Sequence, residues 1–241
     1  MIIGIVAGFL NIMAGGGSLI TVPVMIFMGV PGPIANGTNR IAVLAQNITG
    51  VFTFFKKGFS DFKLSLTLSL CALPGAVAGA LAGVHIDDVW FNRVLAIIML
   101  SVMLLIAFEG KQKAADASAG VSPRRLLLGH LCMVGVGFYG GFIQLGVGFI
   151  IMPVLNKVMG MDLVRVNMHK TFIIASYTIV ALIVFVSQLE ILWLAGFCLA
   201  IGMSLGGWLG VHAAISKGEK LIKMILNAVI IVFVIKLLFF T

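Results

Sequence analysis

Eight mainly apolar stretches follow one another along the chain: 2–28, 34–55, 64–84, 89–108, 126–158, 163–187, 191–212 and 221–240. A helix of ~20 such residues crosses the hydrocarbon core of a bilayer. Stretches this long, joined by short polar links, leave no room for a water-facing domain. Of the residues, 61% are hydrophobic and 10% charged, against about 25% charged in soluble domains. A soluble globule could not bury so much apolar surface, and a disordered chain would not contain it. The expected class is an all-α integral membrane protein with the lipid bilayer as its solvent. The net charge of +8 comes from 16 Lys and Arg scattered over the links rather than gathered in a stripe. That pattern marks cytoplasmic loops and gives no reason to expect nucleic acid as a partner. Cys71, Cys132 and Cys198 lie apart in apolar segments, which reads as buried thiols rather than disulfides or a zinc site. The first residues carry no basic run before the apolar one, so no cleavable signal peptide is expected.

The polar interval 109–125, rich in Ala, Ser and Lys, reads as a cytoplasmic linker between a first membrane repeat, 1–108, and a second, 126–241. The halves echo each other. Gly16, Ile20, Pro23 and Val24 return as Gly146, Ile150, Pro153 and Val154, with Arg40 meeting Lys170 at the same offset. Gly75, Gly79 and Gly83-Val84-His85 return as Gly202, Gly206 and Gly210-Val211-His212. Histidine is scarce in this chain, so its recurrence in the same context points to duplication.

Segments one and five are interrupted by Gly15-Gly16-Gly17-Ser18 and by Gly140-Gly141 with Gly146-Val147-Gly148. They are bent spans or re-entrant hairpins. Loop charge separates the two models. With eight full spans, and Arg40 and Lys170 set aside, six basic residues fall on one side and eight on the other. With two hairpins, twelve fall on one side and only Arg93 and Lys236 on the other. Basic loops stay in the cytoplasm, which favours hairpins. Each half then holds one glycine-broken hairpin and three transmembrane helices. The odd number of crossings turns the second repeat over relative to the first, and both chain ends are expected outside the cytoplasm.

Inverted repeats with broken helices are a transporter architecture, with the site at the repeat interface. The second helix of each hairpin would start at mid-membrane with unpaired N–H groups and the positive end of its dipole. Ser18 and Gly148 mark those starts. Gly15, Gly16, Gly17, Gly146 and Gly148 would let backbone donors reach an anion, helped by Ser18 and Gln144. The competing reading is that these glycines only allow tight helix packing. The second polar cluster, Asn36-Gly37-Thr38-Asn39-Arg40, is matched by Asn167-Met168-His169-Lys170-Thr171. Arg40 and Lys170 would supply charge to the anion, with Asn39, Thr38 and His169 giving hydrogen bonds, or both cations would snorkel to the interface. Gln46, Asn47 and Thr49, with Ser176, Tyr177 and Thr178, either line a wet path or tie neighbouring helices. His85 and His212 read as interfacial packing groups or proton carriers. Neither a P-loop, a dinucleotide fingerprint, a metal-ligand cluster nor a nucleophile elbow occurs, so neither an enzyme nor a cofactor is expected.

The run GFLNIMAGGGSLITVPVMIFMGVPGPIANGTNRIA, with GGFIQLGVGFIIMPVL and VNMHKTF in the second half, resembles the paired signatures of the TauE/SafE sulfite exporter family. Gly15, Gly16, Gly17 and Pro23 match the first motif and Gly146, Gly148 and Pro153 the second. Leu145 and Val147 stand in place of glycines there. The resemblance implies a secondary transporter in the bacterial cytoplasmic membrane that moves a small sulfur-containing anion, such as sulfite or an organosulfonate. Proton or sodium coupling and oligomerisation are compatible with it. A passive anion channel and a permease for small carboxylates are the alternatives.

Overall fold

The computed structural model describes residues 1–107 and 122–239, so most of the expected linker lies outside the described residues. The described residues form helices and no strand. In chain order they are α1 (Ile2–Ala14), α2 (Ser18–Phe27), α3 (Gly32–Lys56), α4 (Phe62–Val84), α5 (Asp88–Ala107), α6 (Pro123–Phe142), α7 (Gly148–Pro153), α8 (Leu163–Gln188) and α9 (Trp193–Phe239). Helices α4, α6, α8 and the Trp193–Lys217 part of α9 are long and apolar enough to cross a membrane. Helix starts follow local sequence. The Asp61 side chain accepts from the Leu64 N–H, Ser122 from Arg125, and Asp162 from both Val164 and Arg165, the N-cap arrangement that satisfies orphan donors.

Segments one and five are broken where the glycines predict, and in both the chain doubles back. Gly17 lies against the Ala7 carbonyl and the Asn11 side chain, a return that a continued helix could not make. In the second half, Gly129 of α6 meets Met159, and Gly160 lies beside the Arg125 guanidinium. The 33-residue apolar stretch therefore ends beside its own beginning. Pro153, which has no N–H to donate, passes α7 into a π-helical turn, Val154–Val158, closed by the Met159 N–H to the Val154 carbonyl at 3.1 Å.

The sequence expectation differs from the structure at the far end. The expected segments 191–212 and 221–240 are joined, over the described residues Trp193–Phe239, as one helix, α9, without a turn between them. The joint contains Ala213, Ala214, Lys217, Glu219 and Lys220, all of which favour helix, and one interior glycine costs only about 1 kcal/mol.

Packing is reciprocal. Helix α1 lies along α9 and α6 along α4, while α3 packs on α9 and α8 on α4. Each glycine row inside these pairs faces backbone. A methyl group on Gly79 would meet the Phe138 carbonyl, and one on Gly206 the Ile5 carbonyl. Gly141 faces the Ala76 carbonyl, and Gly8 that of Met203. Residue numbers rise together along both pairs, so α4 runs parallel to α6 and α1 parallel to α9. In lipid, such close backbone approach replaces the hydrophobic drive as the source of helix association. The recurrent Gly75/79/83 and Gly202/206/210 rows have this packing use. His85, at the C-cap of α4 and exposed, and His212, half-buried within α9, each bond the carbonyl four residues back, Leu81 and Trp208.

Candidate functional site

The two breaks meet. The Gly15 backbone abuts that of Gly148, Gly16 faces the Phe149 ring, and Gly146 lies beside Leu19 and Phe149. The starts of α2 and α7 are thus brought to one junction deep in the molecule. Ala14, Leu19, Ile143, Leu145 and Phe149 pack around it in a shared apolar cluster.

Different chemistry makes each break. Gly15 ends α1 in the left-handed region (φ 83°), its N–H bonded to the Asn11 carbonyl at 2.9 Å. Glycine adopts that conformation without steric cost. The second break uses Gln144 at φ 58° and Gly146 at φ 65°. The Gln144 side chain donates to Thr178 Oγ1 at 3.0 Å, and the Tyr139 hydroxyl holds the Leu145 carbonyl. In the first half Asn11 plays the matching part. It donates to Gln46 Oε1 at 2.8 Å and accepts from the Gly17 N–H at 3.3 Å. Asn39 steadies the start of α2 by donating to Ser18 Oγ at 3.0 Å and accepting from Thr21 Oγ1 at 2.7 Å.

Arg40 and Lys170 do not snorkel: they are 0% and 1% exposed. Arg40 donates to the Gly140, Gly141 and Phe142 carbonyls at the end of α6, at 3.1, 2.5 and 3.4 Å, and stacks 4.2 Å over the Phe185 ring. Lys170 donates to the Asn11 and Ile12 carbonyls at the end of α1, at 3.1 and 2.7 Å. Each half thus supplies a cation to the negative end of the other half's broken helix, where a positive charge is stabilising. Arg40 retains one unpaired donor, Nε, and it lies in company. Asn36 Oδ1, Gln144 Oε1 and the Tyr177 hydroxyl are also buried without a partner. Asn36 donates to the Phe142 carbonyl, and Gly140 faces the Tyr177 hydroxyl, so these four atoms cluster around residues 140–144.

The remaining polar residues bond their own helix or a neighbouring segment. Asn47, Thr49 and Ser176 bond the carbonyl four residues back. Thr38 receives the Leu192 N–H. His169 lies away from the junction, its Nδ1 2.8 Å from Ser65 Oγ. It lines a cavity of about 510 Å³ together with Ser60, Asp61, Leu64, Met161 and Arg165. Sequence reasoning found His169 but not Ser65, Asp61 or Arg165. Those residues are ordinary loop and helix-start types, and only the α4–α8 pairing brings them together.

A family model described as sulfite exporter TauE/SafE matches residues 1–237. A "probable membrane transporter protein" of Sinorhizobium sp is 28% identical over 97% of this chain and 88% of its own length. Another so described, from Haemophilus influenzae, is 28% identical over 92% and 86%. The "probable membrane transporter protein YfcA" of Escherichia coli is 27% identical over 98% and 87%. No solved structure matches at a significant level.

Proposed function

This chain belongs to the sulfite exporter TauE/SafE family, and from that premise we propose that it is a secondary transporter of a small sulfur-containing anion, sulfite or an organosulfonate, across the bacterial cytoplasmic membrane. Membership makes it a multi-pass membrane transporter; the substrate, the site and the mechanism are our reading. The observation that carries it is the contact of the α1–α2 break, through Gly15 and Gly16, with the start of α7 at Gly148-Phe149, so that the starts of α2 and α7 share one junction while the ends of α1 and α6 are neutralised. Two positive dipole ends face one another, and Arg40 and Lys170 cancel the negative ends of α6 and α1 that lie alongside. The local field then favours an anion. Gly15, Gly16, Gly17, Ser18, Gly146 and Gly148 offer backbone approach. Asn39 orients Ser18, and Gln144, Arg40 Nε and the Tyr177 hydroxyl offer hydrogen-bonding capacity beside the second break.

The chain reads as two inverted repeats, each a re-entrant hairpin plus membrane-spanning helices. The doubled-back breaks and the matched α1–α9 and α6–α4 pairs support this. Alternating access would then move one repeat's elements against the other's. The apolar packing of Leu19, Leu145 and Phe149 closes the junction, which favours a carrier over an open channel. Cations built into the ends of α1 and α6 occupy the position where broken-helix transporters hold a coupling ion, which favours the proton over sodium.

The test is thermal stabilisation of the detergent-solubilised protein by sulfite, methanesulfonate and acetate, since a ligand that binds the folded form raises its apparent stability. The reading expects stabilisation by the sulfur anions that saturates with concentration. Equal effects of all three salts at matched ionic strength would overturn it.

A further inference from the structure

We propose that the cavity between the α3–α4 loop and the start of α8 is a cytoplasmic loading site for a small singly charged oxyanion, held by Arg165 and His169 and regulated by the protonation of His169. This rests on the transporter reading above and names a second anion position on its route. The cavity, about 510 Å³, is far larger than one small oxyanion needs, so the ion enters with some of its water. Its rim belongs to loops that carry Lys56, Lys57 and Lys63 on one side and Arg165 on the other, the basic side of the chain. At the mouth Arg165, 70% exposed, leans on Asp162 at 3.4 Å. At the floor His169 is 2% exposed, with Ser65 Oγ on its Nδ1.

Three charged groups face the imidazole: Asp61 from the turn before α4, and Asp162 and Arg165 from the start of α8. Lys170, the next residue, is turned away and spent on the α1 carbonyls. With His169 neutral, Asp61 and Asp162 offset Arg165 around the imidazole, so the lysines at the rim attract an anion that the floor does not hold. With His169 protonated the charges balance, and the imidazolium and guanidinium can hold an oxyanion between them by charge-assisted hydrogen bonds.

Methanesulfonate, whose own charge is constant, is the probe. Its binding to the full-length detergent-solubilised protein is measured by calorimetry across about pH 3.5 to 8, a range wide enough to bracket the charge change of an imidazole. The wild type is expected to bind at least ~10-fold more tightly at the acid end, the factor that about one pKa unit of differential interaction supplies. His169→Gln keeps a hydrogen-bonding side chain against Ser65 and should flatten the profile. Asp61→Asn, still able to cap α4, should tighten binding at every pH. Arg165→Gln, a surface change, should weaken it at every pH. A pH dependence unchanged in His169→Gln, or binding indifferent to both Asp61→Asn and Arg165→Gln, overturns the loading site alone. Binding to none of the four proteins at any pH overturns the transporter reading with it.

Discussion

The two broken segments perform the same turn with different residues. The first relies on glycine: Gly15 takes the left-handed conformation freely, and Asn11 satisfies both Gln46 and the Gly17 N–H. The second forces a glutamine into that region at Gln144 and braces it from Thr178, Tyr139 and Arg40. Among the described residues four orphaned buried side-chain atoms, on Asn36, Arg40, Gln144 and Tyr177, surround the second break, and the other two belong to Asn167, one turn before Lys170 on α8; none belongs to the residues that form the first break. A buried polar atom without a partner is costly, so spare bonding capacity concentrated at one break suits a place where a ligand comes and goes. The residues that form the first break satisfy one another, and the second break is the better-armed half of the proposed anion site.

Removing the cations strains this contrast most. Arg40→Ala leaves the Gly140 and Gly141 carbonyls unpartnered, since Asn36 still donates to Phe142, and should cost roughly 3–5 kcal/mol, while Lys170→Ala leaves only the Ile12 carbonyl, since the Gly15 N–H keeps that of Asn11, and should cost about 1–3 kcal/mol. Denaturant melts in detergent would show the order, and equal losses would erase the asymmetry. Gly8→Ala and Gly141→Ala push methyl groups into the Met203 and Ala76 carbonyls. Each should lose about 1–3 kcal/mol, and by similar amounts, because this packing is where the halves agree. Thr178→Val should cost about 1 kcal/mol and mainly loosen the Gln144 turn. The same melts measure it, and a loss as large as that of Arg40→Ala would contradict the ranking. Topology needs no energy scale. In a background without Cys71, Cys132 and Cys198, a cysteine at Asp88 should label from outside intact cells and one at Arg165 should not. Eight full spans would put both on one side.

The membrane class, the break positions and the pairing of Arg40 with Lys170 were legible in the sequence, because glycine runs and charges in apolar segments are rare and hence informative. What the two cations bond was not. A buried Arg reads the same whether its partner is an anion or a helix end, and only the crossing of α3 over the end of α6 decides between them. Nor was the continuity of α9 through Lys217–Lys220 legible, because charged residues that resemble a loop in a membrane chain are also good helix formers. The Asp61–Arg165–His169 cavity depends on a contact between halves more than a hundred residues apart, which no local pattern encodes.

Counterflow in proteoliposomes tests the central claim most directly. Vesicles loaded with unlabelled methanesulfonate are diluted into a trace of the labelled ion. The account predicts a transient accumulation of label above equilibrium that saturates with internal concentration and disappears when the protein is omitted. Label that only drifts to equilibrium, at a rate linear in concentration, would contradict a carrier whose anion sits between two moving helix breaks.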